Sequence, residues 1–161
     1  DRKCFLLDEE GYNNKDREIP FAPSDVIPKL INFAEKCKIK WGFARYIFID
    51  SADAGTIAEA KKYKRKTGCI YIFEGAWKKT KNLTRVQLQQ SWLNTEDFLI
   101  VETCKEYINE TNVYSYTEDG QLEDGNDHHI QGCQYAWLPF KKLIGNWEMI
   151  KQMIKDADTE E

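Results

Sequence analysis

Tyr46-Ile47-Phe48-Ile49-Asp50-Ser51-Ala52-Asp53-Ala54-Gly55-Thr56-Ile57 is the stretch on which the fold of this chain turns. Four consecutive apolar residues that end on a carboxylate read as a short strand covered on both faces, since a strand wetted on one side would alternate. Ser51 to Gly55 is the loop at its carboxyl end, and Thr56 opens a helix running from Ile57 to about Lys66. Cys69 to Phe73 is a second apolar run and reads as another buried strand. Strand, helix, strand in that order makes this half of the chain α/β with parallel pairing.

Upstream, Ser24-Asp25 is expected to cap a helix from Val26 to about Lys38, because Ile27, Leu30, Ile31, Ala34 and Cys37 recur at helical spacing. Cys4 to Leu7 reads as a strand, Asp8 to Asn14 as a polar turn, and Arg17 to Phe21 as a returning strand that completes a hairpin. Pro20 and Pro23 suit the edge or exit of that strand, since proline donates nothing to a ladder. Downstream, a helix is expected over Lys78–Trp92 and a strand over Phe98–Val101. Another helix should begin near Thr103, followed by an extended piece at Val113–Tyr116. A helix over Ile130–Trp137 should end near Pro139, and an amphipathic helix over Trp147–Ile154 should precede an acidic tail at 156–161. The expectation is one domain spanning residues 1–161. The opening residue is not Met and sits in strand-like sequence, which suggests a fragment of a longer protein.

Bulk composition narrows the function only a little. At 161 residues with 42% hydrophobic content and five tryptophans, the chain can bury a real core and is not a disordered tail. The five cysteines are widely spaced, odd in number and without a CxxC pair, which points to reduced thiols and away from a disulfide framework or zinc knuckle. No apolar run approaches the roughly 18–20 residues of a membrane span. The net charge of −4 does not advertise a nucleic-acid binder, but the charge is unevenly spread. Lys61, Lys62, Lys64, Arg65, Lys66, Lys78, Lys79, Lys81 and Arg85 place nine of the 23 basic residues in one stretch whose only acid is Glu74. That stretch is either a phosphate-contacting patch or a solvated helix face.

Two places carry candidate chemistry. Asp50 sits where an apolar strand ends, the position at which open α/β sheets gather ligands. A carboxylate there caps the next helix, pairs with a lysine, or holds a metal ion. Asp127-His128, with Asp124, His129 and Gln131 beside them, loads acids, an amide and the only two histidines into a turn that runs into an apolar segment. Carboxylate and imidazole suit Mg²⁺ or Mn²⁺, while the plainer reading is an Asp or Asn capping a helix. No GxxxxGK[ST], HExxH or GxSxG occurs, so P-loop, zincin and hydrolase-elbow chemistry have no support. Carboxylates plus His near a basic surface suit metal-assisted phosphodiester cleavage.

In sequence, Ile49-Asp50-Ser51-Ala52-Asp53, Thr56-Ile57 with Glu59, the basic loop, Cys104-Lys105-Glu106 with Tyr114-Ser115-Tyr116, and Asn126-Asp127-His128 with Tyr135-Ala136 together resemble the nuclease domain of tailed-phage terminase large subunits. The resemblance covers about residues 1–140. It implies an α/β, ribonuclease-H-like mixed sheet with helices on both faces, and a Mg²⁺- or Mn²⁺-dependent endonuclease that cuts concatemeric viral DNA during packaging. It implies partners too: double-stranded DNA, a terminase ATPase domain, a small terminase subunit and a portal, with no membrane, in the cytoplasm of an infected bacterial host. Asp50 maps onto the family's central metal acid, and the basic residues onto a surface that holds the duplex. The family's last motif, Asp-His-x-x-Asp-Ala-x-Arg-Tyr-Ala, reads here from Asp127 to Ala136 with Gln131 in place of the second Asp. The family's first strand, with another catalytic Asp, would lie upstream of Asp1. The hairpin from Cys4 would then match the second and third strands. On this reading Asp50, Asp127 and His128 are the catalytic residues, Gln131 joins them around the metal, and His129 is incidental. Two other readings stay open: a degenerate domain that holds DNA or packaging partners without cutting, and a recombination nuclease of the same fold acting on branched DNA.

Overall fold

The computed structural model describes residues 2–12, 17–77, 79–119, 122, 125, 127–146, 148, 151–152 and 155. The chain is α/β and divides into two compact units, Glu10–Ala76 and a second one made of Asp1–Glu9 with Trp77–Glu161.

In the unit Glu10–Ala76, helix α1 (Pro23–Trp41) leads to strand β2 (Tyr46–Ile49), helix α2 (Ala54–Thr67) and strand β3 (Ile72–Gly75). Strand β2 forms where the apolar run requires it and pairs with β3 in parallel, with Tyr46 opposite Ile72 and Ile49 opposite Gly75. Ile47 and Ile49 pack with Ile27, Leu30 and Ile31 of α1, Ala60 and Tyr63 of α2, and Phe73 of β3. The strand is not covered on both faces as the run suggested: Tyr46 is exposed and Phe48 half-buried, the two rings stacked 6.0 Å apart. Strand β3 starts three residues later than expected. Gly68, in the left-handed conformation at φ 67°, ends α2, and Ile72 N–H donates the first cross-strand bond, to Arg45 O at 2.9 Å.

Among the described residues, the hairpin expected at the start of the chain does not form. Arg17 to Phe21 makes no strand; Arg17 turns locally, donating to Ile19 O, and lays its guanidinium 3.7 Å from the Phe21 ring centroid. Helix α1 also begins earlier than Ser24-Asp25 suggested. Pro23 takes its first turn, where a missing N–H costs nothing, and Asp25 reaches back to accept from Ala22 N–H at 2.9 Å.

In the second unit, strand β1 (Cys4–Leu6) pairs in parallel with β4 (Phe98–Ile100), so its partner is about ninety residues away and not the next segment. Helix α3 (Asn82–Asn94) precedes β4, and α4 (Lys105–Val113) and α5 (His128–Trp137) follow it. A 3-10 segment, Leu138–Leu143, continues from α5 and contains Pro139. The core is built on Leu88, Trp92, Phe98, Cys104, Tyr107, Ile130, Trp137, Leu138 and Ile144, with the Trp92 and Trp137 rings meeting edge to face at 4.6 Å. The final helix and acidic tail fall largely outside the described residues. No described helix is long and apolar enough to cross a membrane.

Candidate functional site

Asp50 is half-buried at the carboxyl end of the parallel β2–β3 pair. Its Oδ1 accepts from Ala52 N–H at 2.8 Å, and its carbonyl oxygen accepts from Asp53 N–H at 2.9 Å, so the chain turns tightly around it. The helix cap that Asp50 could have supplied is supplied by Asp53, whose Oδ1 accepts from Thr56 N–H at 2.9 Å. Gly75 at the end of β3 lies under this loop, and a Cβ there would stand 3.6 Å from that of Ser51. The arrangement sets a carboxylate at a strand end, next to the positive end of α2.

The basic residues divide between the two units. On α2, Lys61, Lys62, Arg65 and Lys66 are exposed on the face opposite Ala60, while Lys64 is half-buried and donates to Tyr71 O. Lys62 pairs with Glu59 at 3.2 Å, and the last-turn cations also favour the helix dipole. In the second unit Lys79 and Lys81 are exposed, Lys79 standing 5.1 Å over the Trp77 ring. Lys78 is outside the described residues. Arg85 departs from expectation: it is only 6% exposed, donates Nη2 to Asn82 Oδ1 at 3.2 Å, and has Nε and Nη1 buried without a partner. Burial takes it off any outward-facing patch.

Asp127 is the N-cap residue of α5 and is 6% exposed. Its Oδ2 accepts from Gln131 Nε2 at 2.6 Å and from the Tyr114 hydroxyl at 3.2 Å, and Gln131 Oε1 accepts from the Tyr135 hydroxyl at 3.0 Å. Spacing of four places 127, 131 and 135 along one helix face. Burial and the Asp127 carboxylate push the Tyr114 phenol above its ordinary range, while Asn82 and Arg85 pull it the other way. His128, at the first helical position, is exposed. Asp124 and Asn126 lie outside the described residues.

The side chains that organise this turn include two that the sequence did not flag. Glu110 Oε2 accepts from the N–H groups of His129 and Ile130 at 2.8 and 2.9 Å, and so caps α5 from α4. Glu9 Oε1 and Oε2 accept from Glu106 and Tyr107 N–H at 2.7 and 2.9 Å, capping α4 in turn. His129 Nδ1 lies 3.2 Å from Glu9 Oε2, so that histidine connects the two caps. A Glu about twenty residues from the helix start it caps leaves no local signal. Among the described residues, no three His, Cys, Asp or Glu side chains come together as a metal-holding group.

Solved structures supply the relationship. The chain is similar to the large terminase of a thermophilic bacteriophage in complex with ATP-gamma-S, with a TM-score of 0.66 at 22% identity over 88% of this chain. It is similar as well to the same terminase in complex with ADP, with a TM-score of 0.65 at 21% identity over 81% of this chain. The fold is terminase-like. The chain spans about a third of those proteins, 34% and 32% of their lengths. No family model and no curated protein matches the sequence.

Proposed function

We propose that this chain is the nuclease-type domain of a terminase large subunit, a divalent-metal-dependent endonuclease acting on double-stranded DNA during viral genome packaging. The observation that carries the reading is Asp50, a half-buried carboxylate at the carboxyl end of a parallel strand pair on a fold similar to large terminases. A hard oxygen donor in that place suits Mg²⁺ or Mn²⁺. Such an ion would supply an activated water and charge neutralisation at a phosphate. The described residues fit one anchoring carboxylate. They do not fit a two-ion clamp, because Asp127 is already engaged by side-chain donors and no three ligands converge among them. Lys61, Lys62, Arg65 and Lys66 would hold the backbone of a duplex without reading its sequence. The packaging setting extends the proposal to an ATPase domain, a small subunit and a portal as partners, in the host cytoplasm.

Supercoiled plasmid incubated with Mn²⁺ or Mg²⁺ tests this. Asp50→Ala should lower the nicking rate by about a hundredfold or more, since even outer residues of metal sites cost roughly 10–100-fold. Cleavage that survives the substitution sinks the assignment. A second reading, a domain that holds DNA without cutting it, is favoured by the hydrogen bond from Gln131 to Asp127. It predicts duplex binding with no nicking by the native chain.

A further inference from the structure

We propose that Gln131 withholds Asp127 from metal coordination, its amide and the Tyr114 hydroxyl doing for the buried carboxylate what a cation would otherwise do. This deepens the nuclease-type reading and rests on it for the presence of a divalent ion, but its test reads ion binding and not cutting. A carboxylate 6% exposed needs a partner, because desolvating an unpaired charge is expensive. Asp127 has two donors on one oxygen, at 2.6 and 3.2 Å. Divalent Mg²⁺ or Ca²⁺ takes oxygen ligands at roughly 2.0–2.6 Å, and the Gln131 nitrogen already stands at the outer end of that range from Oδ2. The amide presents N–H hydrogens, which repel a cation at the same oxygen.

The orientation of the amide is set twice over. Turning it would bring Oε1 against the carboxylate and give up the bond from Tyr135 to that oxygen. The buried Arg85 acts on the Tyr114 hydroxyl along with Asp127, so the local field already contains a fixed positive charge. A carboxylate at position 131 would reverse the situation, because two adjacent acids cannot both ionise without a cation or a proton between them.

Mn²⁺ binding followed by the paramagnetic resonance of the free ion decides the matter. Asp50→Asn, which removes the other candidate ligand, should leave no saturable site below millimolar Mn²⁺. Adding Gln131→Asp to that variant should create one, and adding Asp127→Asn as well should abolish it. In the chain that keeps Gln131, Asp127→Asn should leave Mn²⁺ affinity within about twofold. A tenfold loss on Asp127→Asn overturns the proposal. So does the failure of Gln131→Asp to gain a site in a protein whose circular dichroism is native. Gln131→Glu, with its longer reach, repeats the gain test should the Asp variant not fold. A native chain that binds no Mn²⁺ but gains a site on Gln131→Asp would sink the nuclease reading and support this one.

Discussion

Asp50 and Asp127 both stand just before a helix, and the chain uses them in opposite ways. Asp50 follows a strand, is half-buried, and takes the main-chain N–H of Ala52; the capping of α2 is left to Asp53. Asp127 is buried and holds the N-cap position of α5, but its side chain does not cap that helix. Glu110 does so from α4, which leaves the Asp127 carboxylate to bind Gln131 and Tyr114. In each unit the helix cap comes from a different acid, Asp53 for α2 and Glu110 for α5. At the strand end Asp50 is half-buried and holds the turn. At the helix start Asp127 is the centre of a side-chain network on α5. Sequence position alone does not distinguish the two outcomes; burial and the chemistry of the partners do.

The sharpest way to break this contrast is to remove each carboxylate and read folding instead of cutting. Asp127→Ala removes a buried acceptor from the half-buried Gln131 amide and Tyr114 hydroxyl and should cost about 1–3 kcal/mol in urea unfolding. Asp50→Ala gives up an exposed turn bond among its contacts and should cost less than Asp127→Ala. Equal losses, or a larger loss at Asp50, would mean that Asp50 is architecture too.

The caps sharpen the comparison at a smaller scale. Glu110→Ala should destabilise by about 0.5–2 kcal/mol, as loss of an N-cap does, and should speed amide exchange at His129 and Ile130. Glu9→Ala should do the same at Glu106 and Tyr107, and also free His129. If both substitutions speed exchange at α4 and α5 alike, the two caps act as one device through His129 and not as separate ones.

Strand β2 was legible because an apolar run ends on Asp50, and helix α2 because a short loop follows that run, although the helix opens at Ala54 and not at Thr56. The parallel pairing of β2 with β3 followed from the helix between them. The partner of β1 did not, since nothing local tells Cys4–Leu6 that Phe98–Ile100 will lie beside it. A hairpin was the shorter connection, and a non-local strand took its place. At the candidate site, Asp50 could be placed from the strand that ends on it. The state of Asp127 could not, because the donors that decide it come from Tyr114 on the approach to the turn and from Gln131 one helical turn later. Arg85 shows the same limit: a cation in a basic stretch reads as surface until the fold buries it.

The smallest predicted effect returns to the unit Glu10–Ala76, where another buried polar group is partnered from a distance. The Tyr71 ring is buried and its hydroxyl donates to Glu35 Oε1 at 2.7 Å. Burial, and after it the Glu35 carboxylate, push the phenol from its ordinary value of 10.0 up to about 12. The folded chain therefore favours the neutral phenol. That contribution is whole below pH 10 and is lost as pH rises from 10 through about 12. Glu35 is shifted the other way, held below its ordinary value first by the Tyr71 hydroxyl and then by Lys38, so its share fades only in acid. Tyr71→Phe removes the phenol and the larger of the two influences on Glu35, leaving that of Lys38. The difference in urea midpoint between native chain and Tyr71→Phe should hold steady from about pH 7 to 9 and shrink between about pH 10 and 12. A difference that stays constant through that window would show that the hydroxyl contributes through packing alone.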